Sequence, residues 1–320
     1  PIILVLNAGS SSLKYSLINL SNPAQRSAGL IARIGEMDAT HTHQVNGTSS
    51  KTVLAVNSHA EAVERVFSRL SADNCLDSNS LIAIAHRVVH GGEQFSRPAI
   101  INTHLISTLR ELIPLAPLHN PANIIGIEAC QQQFPDIQQI AVFDTAFHQT
   151  LPAHAYRYAV PEHWYRDHAI RRYGFHGSSH AYILGATAAF LNKPPAECNV
   201  ISLHLGNGAS ACAIANGLSI DTSMGMTPLE GLVMGSRCGD IDPGLLFYLQ
   251  HLPGWSVETV EKALNNLSGL KGLCGENDMR LIHQRAEQGD SSAELARTLF
   301  AYRLKKYIGR SEERRVGKEC

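Results

Sequence analysis

Residues 2–6 form a short apolar run, residues 7–12 a polar turn, and Leu13, Tyr15 and Leu17 then alternate with Lys14 and Ser16. A short apolar run reads as a buried strand and alternation as a half-buried one. The pattern predicts an antiparallel hairpin with Lys14 on the face opposite Leu13 and Tyr15. It returns at residues 202–217, "SLHLGNGASACAIANG", where an apolar strand again runs through a Gly/Asn turn into a second strand. Two such units suggest two halves built on one plan. Halves of that size would total about four hundred residues, against the 320 present.

Helical spacing appears between these strands. Ser58 with Glu61 makes a capping-box pattern, and Val63, Val66, Phe67 and Leu70 follow on one face. Residues 81–89 and 140–143 are further strand candidates, the first ending in the turn His90-Gly91-Gly92. Ser256 caps a helix with the apolar positions Val257, Val260, Leu264 and Leu267. Ser291 and Glu294 open a last helix with the face Leu295, Leu299, Leu304 and Ile308. Strands and helices are interleaved without a low-complexity linker, which points to an α/β protein.

Composition narrows the functional classes. With 27 Lys and Arg against 28 Asp and Glu, the formal charge is -1, so nothing favours nucleic acid or an anionic membrane. No apolar run approaches the ~18–20 residues of a membrane span. The first residues carry no basic region, and no signal peptide is expected. The seven cysteines are an odd number without a C-x-x-C pair, which suggests neither a disulfide framework nor a cysteine zinc site. Reduced thiols in a cytoplasmic protein are the expectation.

Gly- and Ser-rich turns expose backbone N–H groups that can cradle phosphate oxygens. No G-x-x-x-x-G-K-[ST] sequence is present, which excludes a P-loop. Two hairpins, one from each half, could grip phosphates instead. Five further stretches set Arg, His or Asp beside Gly or Pro: "HRVVHGGE" (86–93), "LAPLHNP" (115–121), "FDTAFHQT" (143–150), "RYGFHGSSH" (172–180) and "DTSMGMTPLEGLVMGSRCGDIDPG" (221–244). Arginine carries a permanent charge in a fork that matches carboxylate or phosphate, and Arg237 lies between glycines and an Asp-x-Asp pair. Asp240 and Asp242 are read either as metal ligands or as a turn before Pro243-Gly244. His119, His148 and His180 are read as structural, holding turns by hydrogen bonds.

Together with "NAGSSSLKYSL" and "HLGNGAS", these stretches closely resemble, in sequence order, the short-chain carboxylate kinases, the acetokinase family. The resemblance implies duplicated ribonuclease H-like halves, the α/β fold of actin, the sugar kinases and the heat-shock ATPases, with nucleotide bound in the cleft between them. It divides the chain into 1–150 with the carboxylate and phosphate sites, 151–309, and a tail, 310–320. It implies reversible transfer of the γ-phosphoryl of ATP to acetate, with Mg²⁺ (or Mn²⁺) as the metal, in a cytoplasmic homodimer. Carried over position by position, Asn7 helps hold Mg²⁺, directly or through water. Ser10, Ser12 and Lys14 line the phosphate hairpin, and Arg87 binds the substrate carboxylate. Val89, Leu118, Phe175 and Pro228 form the pocket for its methyl group. Asp144 matches the catalytic acid, and His176 and Arg237 the groups that stabilise the transition state. His204, Leu205, Gly206, Asn207 and Gly208 touch the ATP phosphates, and Asp278, Met279 and Arg280 the nucleoside side. A carboxylate acceptor is ionised at neutral pH, its pKa being near ~4, so Asp144 is assigned to orienting Mg²⁺ and its waters rather than to abstracting a proton.

The sequence departs from the family after about residue 309. A Gly-rich adenosine loop and a C-terminal Glu that completes the Mg²⁺ site are absent. "SEERRVGKEC" is mostly charged, without helical or strand periodicity. The expectation is exposed apolar surface in the second half and little or no activity for these 320 residues alone. Three alternatives stand beside this reading. One is a propionate or butyrate kinase of the same family. Another is a non-catalytic nucleotide-binding relative, against which Arg87, Asp144, His176 and Arg237 argue. The third is a metalloprotein resting on the sixteen histidines, unsupported by any H-x-x-x-H pair with a third ligand.

Overall fold

The structure is a computed structural model and describes residues 1–22, 26–76, 80–117 and 119–316. The chain divides into two compact units, Pro1–Ala146 and a second beginning at Phe147. In chain order the first contains β1 (Ile2–Gly9), β2 (Ser12–Asn19), β3 (Arg26–Ala32), β4 (Ala39–Val45), β5 (Thr48–Leu54), α1 (His59–Ala72), β6 (Leu81–Val88), β7 (Ala99–Ile100), α2 (Thr103–Glu111), α3 (Asn120–Gln133) and β8 (Gln138–Phe143). One sheet orders these strands β5-β4-β3-β2-β1-β6-β8-β7. β1 is antiparallel to β2 but parallel to β6, and β6 is parallel to β8.

The predicted hairpin is present, with one correction. β1 runs on to Gly9, so Asn7 is a strand residue paired with Lys14, and the turn is reduced to Ser10 and Ser11. Leu4, Leu6, Leu13 and Tyr15 on one face join Val63, Val66, Phe67 and Leu70 of α1 in the main core. Ser58 caps α1 as its sequence predicts, its hydroxyl accepting from Glu61 N–H at 3.2 Å. A second cluster unites Val88, Leu109, Ile124, Ile127 and Phe143 beneath α2 and α3. The Tyr15 hydroxyl lies 2.8 Å from His41 Nε2 and 2.5 Å from His43 Nδ1. Gly29 makes room for it, since a Cβ there would come within 2.4 Å of that oxygen.

The second unit contains α4 (Ala153–Tyr156), α5 (Glu162–His168), α6 (Gly177–Phe190), β9 (Val200–Leu205), β10 (Ala209–Ala215), β11 (Leu218–Thr222), α7 (Gly244–Gln250), α8 (Val257–Asn266), α9 (Gly269–Cys274), α10 (Met279–Glu287) and α11 (Ser291–Val316). Its strands form an antiparallel sheet ordered β11-β10-β9. The face of β10 carrying Cys212 and Ile214 packs with Leu184 and Ala188 of α6. α9, α10 and α11 close around Val233, Leu270, Ile282, Ala293 and Ala296.

Two predicted helix faces are corrected. In α8 only Val260 is buried, while Val257 and Leu267 are exposed. In α11, over residues 291–309, the buried positions are Ala293, Ala296 and Tyr307; Leu299 packs half-buried against them, and Leu295 is exposed. Its cap is Asp290 rather than Ser291, the carboxylate accepting from Ser292 and Ala293 N–H at 2.9 and 3.2 Å. The helix continues to Val316, where no periodicity was expected, because Glu, Arg and Lys favour helix without an apolar face. The second unit leaves Tyr182, Phe190, Phe247 and Tyr248 largely exposed.

Candidate active site

The first unit gathers its polar candidates on the sheet face away from the core. Paired residues of neighbouring strands point to the same side, so Asn7 and Lys14 share a face, as do Gly9 and Ser12. Arg87 lies on that face one position beyond the last β1–β6 pair, Leu6 with His86. Asp144 follows the C-terminal end of β8, its N–H donating to Val88 C=O at 2.9 Å. The carboxyl ends of parallel strands are where open α/β sheets bind ligands. Ser10 is exposed at the tip of the hairpin and Lys14 is exposed beside it.

Arg87 and Asp144 form a bidentate pair. Arg87 Nε is 3.0 and 3.1 Å from the two Asp144 carboxylate oxygens, and Nη2 is 2.5 Å from Oδ2. The Asp144 side chain is 3 % exposed and that of Arg87 39 %. Burial works against the Arg87 charge, but the hydrogen bonds and charge of Asp144 outweigh it and hold the guanidinium above its ordinary pKa.

Two residues missed by the sequence reading organise this strand end. Asn123 accepts from Val89 N–H at 3.0 Å and donates to Ala8 C=O at 2.7 Å. Asn120 accepts from His90 N–H and donates to His90 C=O, both at 3.2 Å. Both asparagines are buried in the first turn of α3. The signal was present as two amides at i and i+3 in a stretch whose other inward positions are Ile124 and Ile127. Val89 is buried beside them, and Leu118 lies outside the described residues.

In the second unit the hairpin β9–β10 meets the first turns of α6. His204 pairs with Ser210 and Ser202 with Cys212, so these four side chains share one face. His176 is the N-cap of α6 with φ 58°, in the left-handed region that non-glycine residues seldom occupy. Its ring stacks on His204, centroids 4.0 Å apart. Ser210 Oγ lies 2.9 Å from His176 Nδ1 and 2.9 Å from His180 Nε2, while His180 Nδ1 is 2.9 Å from Ser202 Oγ. His204 Nδ1 is 2.9 Å from Ser179 Oγ. Burial, reinforced by His148 and His204, pushes the His180 pKa down to about 3.

The turn of this hairpin brings the transition-state candidates together. A Cβ at Gly208 would sit 3.3 Å from Arg237 Nη1 and 3.4 Å from His176 Nε2. Arg237 is anchored by Pro228, whose carbonyl accepts from Nη1 at 3.2 Å. Gly206 N–H donates to Gly208 C=O at 3.1 Å, and Leu205 is half exposed. Asn207 C=O accepts from Gly235 N–H at 2.9 Å. Asn277 Nδ2 donates to Asn207 Oδ1 at 3.1 Å, so this residue, also missed in the sequence, links the turn to the Asp278–Arg280 segment. There Asp278 caps α10 and pairs with Arg280 at 2.6 Å, while Met279 packs into the helical cluster.

Beneath the Pro228 loop lies a network absent from the sequence reading. Arg172 Nη1 donates to the carbonyls of Thr222, Ser223 and Met224 at 3.0, 3.1 and 2.9 Å. Its Nη2 meets Glu230 Oε1 at 2.5 Å, and Tyr158 donates to Glu230 Oε2 at 2.5 Å. Phe175 is buried, and its carbonyl lies 3.0 Å from His148 Nε2. His148 Nδ1 is 2.8 Å from Ser219 Oγ, and burial pushes its pKa down to about 4. Asp240 accepts from Gly231 N–H at 2.8 Å and Tyr307 hydroxyl at 2.7 Å, and Asp242 from Gly244 N–H at 2.9 Å. The bond to Gly244 favours the turn reading of Asp242, whereas Asp240 ties distant segments together. No group of three His, Cys, Asp or Glu side chains able to hold a metal occurs among the described residues.

The description of the acetokinase family matches residues 2–315. The chain belongs to the acetokinase family. It is 50% identical over 310 residues to the acetate kinase of Streptomyces avermitilis, covering 96% of this chain and 76% of that protein. A propionate kinase structure from Francisella tularensis superposes with TM-score 0.92 at 44% identity, over 97% of this chain and 80% of that one. The Porphyromonas gingivalis acetate kinase structure gives TM-score 0.91 at 41% identity, over 97% and 79%. With the family comes its α/β fold of the actin, heat-shock ATPase and sugar-kinase kind, shared with these structures. No described helix is long and apolar enough to cross a membrane.

Proposed function

We propose that the protein transfers the γ-phosphoryl of ATP to acetate, reversibly, giving acetyl phosphate and ADP. The observation that carries this reading is the approach of the Arg237 guanidinium and His176 imidazole to Gly208, on a glycine turn. Phosphoryl transfer needs positioned positive charge and N–H donors more than covalent help. An acetate oxygen attacks the γ-phosphorus, the bond from phosphorus to the ADP oxygen breaks, and ADP leaves with the electron pair. No general base is required, since acetate is already ionised. Arg87 binds the carboxylate with the edge of its fork not turned to Asp144.

The donors present fit Mg²⁺, a hard cation that takes oxygen ligands and keeps several waters. Asn7 and Asp144 both offer oxygen, on strands separated by β6. Two inter-strand spacings amount to about 10 Å, which supports holding the ion through water and substrate phosphates. Bound Mg²⁺ neutralises charge on the β- and γ-phosphates. Ser12 and Lys14, the turn 204–208 and the segment 278–280 complete the ATP contacts. A cytoplasmic location and a homodimer belong to the same reading.

The test is acetyl hydroxamate formation from ATP, Mg²⁺, hydroxylamine and acetate, propionate or butyrate. It is run on these 320 residues and on a chimera completed from residue 309 with the Streptomyces segment. A chimera fastest with acetate supports the function. Activity confined to the chimera supports the expectation that the shorter chain is slow. Nucleotide binding without hydroxamate from either protein favours the non-catalytic relative.

A further inference from the structure

The hydrogen bonds around His180 form a directional chain, Ser202–His180–Ser210–His176, with all three links at 2.9 Å. A serine hydroxyl has one proton to donate, and a neutral imidazole has one N–H and one bare nitrogen. When the Ser210 hydroxyl donates within the chain, the chain runs in one of two senses; when Ser210 only accepts, both flanking imidazoles donate to it and His176 Nδ1 carries the proton. In one, Ser202 donates to His180 Nδ1, His180 Nε2–H donates to Ser210, and Ser210 donates to His176 Nδ1. In the other every link reverses, and His176 Nδ1 carries the proton. A neutral His176 offers an N–H at Nε2, the nitrogen near Gly208 and Arg237, only in the first sense.

We propose that Ser210 is a positioning residue that, with His180 and Ser202 behind it, holds His176 in the tautomer with its proton on Nε2. This deepens the phosphotransferase reading and rests on it for its catalytic consequence. The titratable and charged groups facing the chain are consistent with neutral rings. His204 stacks on His176, Arg237 Nη1 and His176 Nε2 both lie beside the Cβ position of Gly208, and His148 meets the edge of His180 at 5.6 Å. Burial keeps His180 uncharged through the neutral range. A cationic His176 would face a guanidinium and another imidazole, so a neutral ring of fixed tautomer is the arrangement of lowest charge conflict. Ser202, Ser210 and His180 are all buried, which keeps water from supplying substitute protons. No proton is moved along the chain during the reaction; its direction is set by folding.

The test is ring ¹⁵N NMR of the histidines in the chain, with His176 assigned by its loss in His176→Gln. The wild-type ring is expected to carry its proton on Nε2. Ser210→Ala is expected to shift the His176 tautomer toward Nδ1–H, and Ser210→Thr to restore it. In the chimera, kcat is expected to fall about 10–100-fold in Ser210→Ala with KM for acetate unchanged, and to recover in Ser210→Thr. A folded Ser210→Ala protein whose His176 tautomer matches wild type would overturn the proposal. Should Ser210→Ala fail to fold, Ser202→Ala, which does not touch His176, decides by the same spectrum. The tautomer is read without activity, so a chimera inactive with every acid would sink the phosphotransferase reading while leaving this result interpretable.

Discussion

Arg87 Nε reaches both carboxylate oxygens of Asp144 while Nη2 takes a second bond to one of them. Holding Arg87, the proposed carboxylate ligand, is thus a duty of Asp144 separate from any contact with Mg²⁺. In Asp144→Asn the fork loses its charged partner. KM for acetate is expected to rise about tenfold, the loss of one charge-assisted bond, and to stay raised at saturating Mg²⁺. A defect that Mg²⁺ repairs completely would confine Asp144 to the ion. Stability should fall by about 1–3 kcal/mol, less than a fully buried unpaired charge would cost because the arginine is partly open to water.

The Arg172–Glu230–Tyr158 network predicts a different phenotype. Arg172 is 10 % exposed and satisfies three carbonyls. Arg172→Ala leaves those carbonyls and Glu230 without their partner and should cost about 3–5 kcal/mol. Glu230→Gln keeps the shape and should cost about 1–2 kcal/mol. Thermal melts check the ranking, and equal effects of the two substitutions would argue against a common network.

Gly208→Ala should separate activity from stability. Gly208 does not adopt the left-handed backbone, so an added methyl strains no dihedral angle. It meets Arg237 Nη1 at 3.3 Å, which must give by a few tenths of an ångström, and comes into contact with His176 Nε2 at 3.4 Å. The expected result in the completed chimera is an unchanged melting curve with kcat lowered about 10–100-fold.

Acid should destabilise the second unit through His148. Its folded pKa of about 4 lies below the ordinary value of 6.5. Below pH 6.5 the unfolded chain therefore binds more protons than the folded one. The stabilisation is fully present above that pH and is lost as pH falls from 6.5 toward 4. Each such histidine adds up to about 1.4 kcal/mol per pH unit to the slope. Urea unfolding between pH 7 and 4.5 should show a shallower slope in His148→Gln than in wild type.

The features legible in the sequence were those with a local period. Alternation set the two hairpins and the face of Lys14, and i, i+3, i+4 spacing set α1 with its Ser58 cap. Polar contacts between distant segments were not legible, because no local pattern encodes them. Arg87 and Asp144 are 57 residues apart and Arg172 and Glu230 are 58 apart. The motifs nominated Arg87 and Asp144 one at a time without saying that they hold each other. The face of α11 was misjudged at Leu295, and its alanines were passed over, because large leucines were weighted over small alanines. Ala293 and Ala296 let that helix sit close to its neighbours while Leu295 faces solvent.

Asn123 spans two strand ends by touching main chain on both sides, Ala8 C=O and Val89 N–H. Neither bond depends on which side chain its neighbour carries. Residues 8 and 89 are held by their own burial, but these two bonds ask of them only a backbone in place, whereas of Asn123 they ask the amide itself. Aspartate, nearest to it in shape, would set a negative charge against a carbonyl oxygen. The junction thus restricts its members in different ways: the bordering residues by the space they fill, and the residue that measures the gap by the chemistry of its side chain.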